Sequence, residues 1–130
     1  MTAGASPGGL TILNLYGLRG SAEDFVAATQ ALADRVRREG HPGVLSYRFW
    51  VDAASAQGRA VIDYADAAAW TGHHDIAMDW PEMAALHEAA ALSEVTFLGK
   101  VTPEILAWMA DGPLHARLIE GYVPSAGFAR

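Results

Sequence analysis

Trp70 and His74 stand four residues apart in the segment DAAAWTGHHD, Asp66 to Asp75. That spacing puts both side chains on one face of a helix, with Ala67, Ala77 and Met78 beside them, His73 on the flank and Asp75 pointing away. A neutral imidazole in a mostly apolar pocket can take a proton from a phenol or an activated C–H, because its ordinary pKa lies near working pH. The competing account is a core histidine that bonds a backbone carbonyl beside a packing tryptophan. Asn14 is the one amide side chain in the largely apolar run Leu10 to Gly17. It is either a partner for a developing oxyanion or a simple pocket-lining amide. Arg48 and Asp63 fall at alternating positions of two strands, where a cross-strand ion pair is the default. If Arg48 faces the pocket instead, it would hold a phenolate or carboxylate. Tyr16, Tyr47 and Tyr64 are strand aromatics that would line a site for a flat molecule, or else fill the core or an interface. His87 shares a helix face with Met83, Leu86 and Ala90 and is a further candidate for substrate binding.

Several other chemistries lack the residues they require. The chain has no cysteine, which removes disulfides and thiolate chemistry. Adjacent His73 and His74 point about 100° apart on a helix, and no second ligand follows at i, i+4, so no metal is expected. No Gly-rich phosphate motif follows a strand, and there is no Ser-centred elbow. The site is therefore expected to work without a cofactor.

The elements that must position these residues are legible in order. Leu10 to Gly17 reads as a strand. Ser21 caps a helix whose apolar stripe is Phe25, Ala28, Thr29, Leu32 and Val36, and which ends at Gly40. Gly43 to Asp52 alternates as a strand, with Val44, Ser46, Arg48 and Trp50 on one side and Leu45, Tyr47, Phe49 and Val51 on the other. Arg59 to Tyr64 is its hairpin partner. Asp66 caps a helix over Ala67 to about Met78. Asp79 is expected to cap its continuation, with Pro81 in the first turn and Glu82 completing a capping box. Glu94 to Val101 is the fourth strand, and Thr102-Pro103-Glu104 starts a short helix that stops at Asp111-Gly112-Pro113. Gly121-Tyr122-Val123 has the makings of a further strand or arm.

The order β-α-β-β-α-β plus a C-terminal helix is the ferredoxin-like split βαβ pattern of an α+β domain. It predicts a four-stranded antiparallel sheet with both helices on one face. Bulky residues on both sides of the second strand ask for cover on the other face as well, and a second copy of the chain would supply it. One such domain, residues 10–112, follows a tail over 1–9 and precedes an extension over 113–130. At 130 residues and 52% apolar content the chain is long enough for one core. Its formal charge of −6, with no basic run, argues against nucleic acid. No apolar stretch reaches the roughly 20 residues that span a membrane. The opening residues lack the charged and apolar regions of a signal peptide, which leads to the expectation of a cytoplasmic protein.

With that element order, the segment Asp66 to Asp75 and the closing strand and turn EVTFLGKVTPE (Glu94 to Glu104), the chain resembles the dimeric α+β barrel superfamily. Within it the resemblance is to antibiotic-biosynthesis-monooxygenase-like proteins, over roughly residues 10–110. In such proteins the helix after the third strand often carries a pocket-facing histidine. Some members place an asparagine on the first strand and a tryptophan and histidine on the later helix, a trio to which Asn14, Trp70 and His74 or His87 are similar. The resemblance implies a homodimer and a cofactor-independent monooxygenase acting on an aromatic or polyketide-like molecule. A cyclase using the same pocket, or a non-catalytic small-molecule-binding dimer, is the alternative. The spacing of tryptophan and histidine departs from the heme-degrading branch, for which His74 is too close and His87 too distant.

Overall fold

The computed structural model of the chain describes residues 9–112 and 114–130. Of the expected tail over 1–9, all but Gly9 lies outside the described residues, as does Pro113. Strand β1 (Leu10–Leu18) buries every second residue, Leu10, Ile12, Asn14 and Tyr16, the period of a strand with one face on a core. Helix α1 (Ala22–Glu39) starts where the Ser21 hydroxyl accepts from the Asp24 N–H at 3.0 Å and ends at Gly40. Its buried stripe is the one its spacing predicts. Strands β2 (Val44–Asp52) and β3 (Gln57–Tyr64) form a hairpin whose turn has Ala56 at φ 54°. Helix α2 (Ala67–Ala77) is capped by Asp66, whose carboxylate accepts from Ala69 N–H at 2.8 Å. Helix α3 (Pro81–Ala89), strand β4 (Ala90–Leu98), helix α4 (Pro103–Asp111) and strand β5 (Arg117–Tyr122) complete the chain.

The sheet runs β2-β3-β1-β4-β5, and its first four strands are antiparallel neighbours in the ferredoxin-like order. Instead of the expected four-stranded antiparallel sheet, the described residues form a five-stranded mixed one. Helix α4 carries the chain back to the level of Glu94 in β4, so β5 runs parallel to it. Three local expectations also change. Strand β4 begins at Ala90 rather than Glu94, directly after α3, because Leu18 already pairs with Ala90. The N-cap of α3 is Trp80, without a side-chain cap bond, instead of Asp79; Glu82 accepts from Arg35 of α1 at 2.9 Å rather than closing a capping box. The register of β2 shifts between Val44 and Ser46, so Val44 packs on the core and Leu45 is 63% exposed.

The core lies between the helices and one sheet face. Gly58 of β3 sits under the Phe25 ring, close enough that a Cβ there would collide with it. The opposite face carries the alternate residues, among them Leu13, Leu15, Val61 and the half-exposed Trp50. Among the described residues no helix is long and apolar enough to cross a membrane.

Candidate active site

Helix α2 has small residues on its inner side, and these let it approach the sheet. Its buried stripe is Ala69, Trp70, His73 and Ala77. The expected roles of the two histidines are therefore partly exchanged. His73, expected on the flank, is 1% exposed and meets Tyr47 and Tyr64 at ring-centroid distances of 5.3 and 5.9 Å. His74 is half-buried at the edge of the stripe, its ring 4.0 Å from that of Trp70 and inclined by 31°.

These side chains enclose one cavity with the sheet and α3. Asn14 and Tyr16 come from β1, Tyr47 from β2 and Tyr64 from β3. Trp70, His73 and His74 come from α2, and His87 from α3. The space open to the centre of a water is only about 30 Å³, room for a water or two. A fused ring system enters only if the walls move. Met78, Met83 and Leu114 are apolar parts of those walls, and methionine repacks readily. Arg48 is not brought to the cavity. It projects from the far face of β2, 4.0 Å from Asp63, and the Asp63 carboxylate also accepts from Thr11 and Ser46 at 2.6 Å.

Inside the cavity the hydrogen bonding is incomplete. The Asn14 amide Nδ2 donates to the Tyr16 hydroxyl at 3.2 Å, while its Oδ1 is buried without a partner among the described residues. His73 Nδ1 is likewise buried and has no partner among the described residues. Unpaired polar atoms cost free energy in a dry site, and a bound group or an ordered water would relieve both. His74 Nδ1 lies 2.7 Å from the Trp70 carbonyl. A carbonyl can only accept, so Nδ1 carries the proton and Nε2 holds the free lone pair of the neutral ring.

Burial sets the charge state of these groups. Desolvation pushes His73 down to about 3, helped by His74 and His41. It pushes His74 down to about 4, against the opposing pull of the Trp70 carbonyl and Asp75. His87 is also lowered, by burial and then by Arg19. Burial raises Tyr16 to about 12, a shift reduced by the Asn14 hydrogen bond, and holds Tyr47 and Tyr64 well above their ordinary value. Near neutral pH the site thus offers neutral imidazoles and protonated phenols, a lone-pair acceptor beside several O–H donors.

Trp108 of α4 is a neighbour that sequence spacing did not reveal. Its ring is 5.0 Å from His74 and 5.4 Å from Trp70, and its Nε1–H donates to Asp75 at 3.0 Å. More than thirty residues separate Trp108 from α2, so no local period links them. Among the described residues no three His, Cys, Asp or Glu side chains are grouped to hold a metal ion.

No family model matches the chain, and no curated protein matches it. Solved structures do. MupZ from Pseudomonas fluorescens is 19% identical with a TM-score of 0.66, over 95% of this chain and 96% of that one. A variant of SnoaB, a cofactor-independent oxygenase from Streptomyces nogalater, is 15% identical with a TM-score of 0.61, over 75% of this chain and 99% of that one. A candidate antibiotic biosynthesis monooxygenase from Caulobacter crescentus is 19% identical with a TM-score of 0.59, over 73% and 92%. At these identities the likeness is one of fold. The chain shares its α+β, ferredoxin-like fold with these proteins.

Proposed function

We propose that this protein is a small biosynthetic enzyme, a cofactor-independent monooxygenase of an aromatic, polyketide-like molecule. The observation that carries the reading is the convergence of Asn14, Trp70 and His74 with three tyrosines on one largely apolar cavity whose polar atoms are not all satisfied. The likeness to a cofactor-independent oxygenase supports it at the level of fold. In the proposed reaction His74 Nε2 takes a proton from an activated ring methylene. The carbanion transfers electrons to dioxygen, a C–O bond forms, and loss of water leaves a carbonyl. The balance is CH2 plus O2 giving C=O plus H2O, so the substrate is the reductant. Protonated Tyr16 and the Asn14 amide would stabilise the oxygen anion of the enolate. His73, Tyr47, Tyr64 and His87 would line the substrate's ring faces.

The half-exposed apolar face of the sheet supports a homodimer, since a second copy would bury Leu13, Leu15, Val61 and Trp50 against their equivalents. Arg48 belongs to that face and is proposed to contact the second copy rather than the substrate.

The test is oxygen uptake over a panel of anthrones and polycyclic hydroquinones without added metal or flavin, with His74→Ala in parallel. Uptake that falls about 10²-fold in the variant, the scale of losing a general base, supports the reading. Equal uptake by both proteins removes His74 as the base. Turnover that continues without oxygen identifies a cyclase, and binding without turnover a carrier.

A further inference from the structure

The proposed role of His74 depends on a ring held in one orientation, and the structure shows more restraint on that ring than its own helix provides. The Trp70 carbonyl fixes Nδ1 from within α2. Trp70 covers one side of the imidazole at 4.0 Å. Trp108 closes from α4 at 5.0 Å with its plane inclined by 61°, and is itself perpendicular to Trp70, at 87°. The indole packs against the core and is held at its polar edge as well. Its Nε1–H is bonded to the Asp75 carboxylate, one residue after His74 on α2. This cross-helix side-chain hydrogen bond lies where α4 packs on α2, with Ile105 of α4 fully buried.

We infer that Trp108, tethered by Asp75, is a positioning residue for His74: it holds the imidazole against Trp70 with Nε2 free and shields it from water. The inference rests on the proposed role of His74 as base, and adds Trp108 and Asp75 to the residues that serve it. The charged and titratable groups around His74 are Asp75 and His73 on α2 and His87 on α3. On α4, Glu104 and Asp111 share with Trp108 the groove outside it. Of these, only the Asp75 carboxylate is bonded to Trp108.

The experiment measures the His74 ring nitrogens by NMR over a pH series in the wild type and in Trp108→Ala, Trp108→Phe and Asp75→Asn, alongside kcat and KM. In Trp108→Ala, water reaches the ring, so its titration midpoint should rise towards the ordinary value and the single Nδ1–H tautomer should give way to a mixture. In Asp75→Asn the midpoint should fall further, because the nearby negative charge is lost. Trp108→Phe keeps the aromatic face and should keep the wild-type tautomer. If the oxygenase reading holds, Trp108→Ala lowers kcat by about 10- to 100-fold with little change in KM, the scale of a misplaced catalytic group, and Trp108→Phe recovers most of it. An unchanged tautomer and midpoint in Trp108→Ala overturns the inference even if oxygen uptake is found. The shifted NMR signature without activity on any substrate upholds the positioning and overturns the oxygenase instead. Should Trp108→Ala not fold, Asp75→Ala, which removes the acceptor of Trp108 Nε1–H, decides by the tautomer, and a single unchanged Nδ1–H tautomer there refutes the tether.

Discussion

Lowering the pH from 7.5 to 5 should remove a large part of this protein's stability, and two histidines should account for most of the loss. Folded His73 takes up a proton only near pH 3 and His74 only near pH 4, whereas an unfolded histidine does so near 6.5. Between those values the unfolded chain binds protons that the folded chain refuses. Stability therefore falls as pH drops through 6.5 and is fully present only above it. Integrated from pH 7.5 to 5, each ring contributes about 2 kcal/mol and the pair about 4 kcal/mol. That compares with roughly 5–15 kcal/mol for a typical domain, so the denaturation midpoint should move far. The depressed carboxylates, Asp52 and Glu82, ionise below this window and do not mask the effect. Urea denaturation at half-unit pH steps would read it. His73→Phe, which keeps a ring between Tyr47 and Tyr64, should remove about 2 kcal/mol of the pH dependence and leave the shares of His74 and of His87, which burial also lowers. A stability that changes by less than about 1 kcal/mol over the window would mean that the imidazoles are not held neutral by burial. An unchanged slope in His73→Phe would show that His73 is not one of the groups responsible.

Gly58→Ala should cost about 1–3 kcal/mol, because its Cβ would drive into the Phe25 ring; a thermal melt within a degree of wild type would contradict that packing. Arg35 joins α1 to α3 through Glu82 at 2.9 Å and lies 4.3 Å over the Trp80 ring. Arg35→Ala should lower the denaturant midpoint at low salt and less so at high salt, and Arg35→Lys should recover only part of the loss. Trp50→Asp should convert the proposed homodimer to a monomer in sedimentation equilibrium without unfolding it. A variant that sediments as the wild type does would place any interface elsewhere.

The parts of this fold that were legible are those whose signals are local. Ser21, Gly40 and the 3.6-residue stripe define α1 without reference to anything else, and Asp66 does the same for the start of α2. The start of β4 was not legible. Ala89, Ala90 and Ala91 carry no strand preference, and the chain passes from helix to strand there without a turn. Pairing of β1 with Ala90 and Ala91 decides that boundary, and sequence periodicity does not contain it. The exchange between His73 and His74 has a similar origin. A helical wheel gives their relative angle, but the face that meets the sheet is chosen by Ala69 and Ala77, which permit the closest approach. The alternation of β2 fails at Leu45 because one extra residue in a register shift turns Val44 inward. The aromatic and polar lining was visible as residue types on strands and helix. Trp108 was not, since only the tertiary packing of α4 brings it to α2.

The parallel strand β5 has a consequence for solubility. By pairing with Glu94 to Thr96 and Leu98, it occupies backbone donors and acceptors of β4 that would otherwise face water in a row. At the other end of the sheet β2 is interrupted by a register shift and flanked by the charges of Arg48 and Asp52, features that discourage a foreign strand. No such feature protects the outer side of β4 along Val95 to Leu98, a run of high strand preference. A chain cut after Gly112 would retain every residue of the candidate site except Leu114, yet present that run as an open template. Such a shortened protein should accumulate as β-rich aggregates on mild heating at concentrations where the full chain remains dispersed.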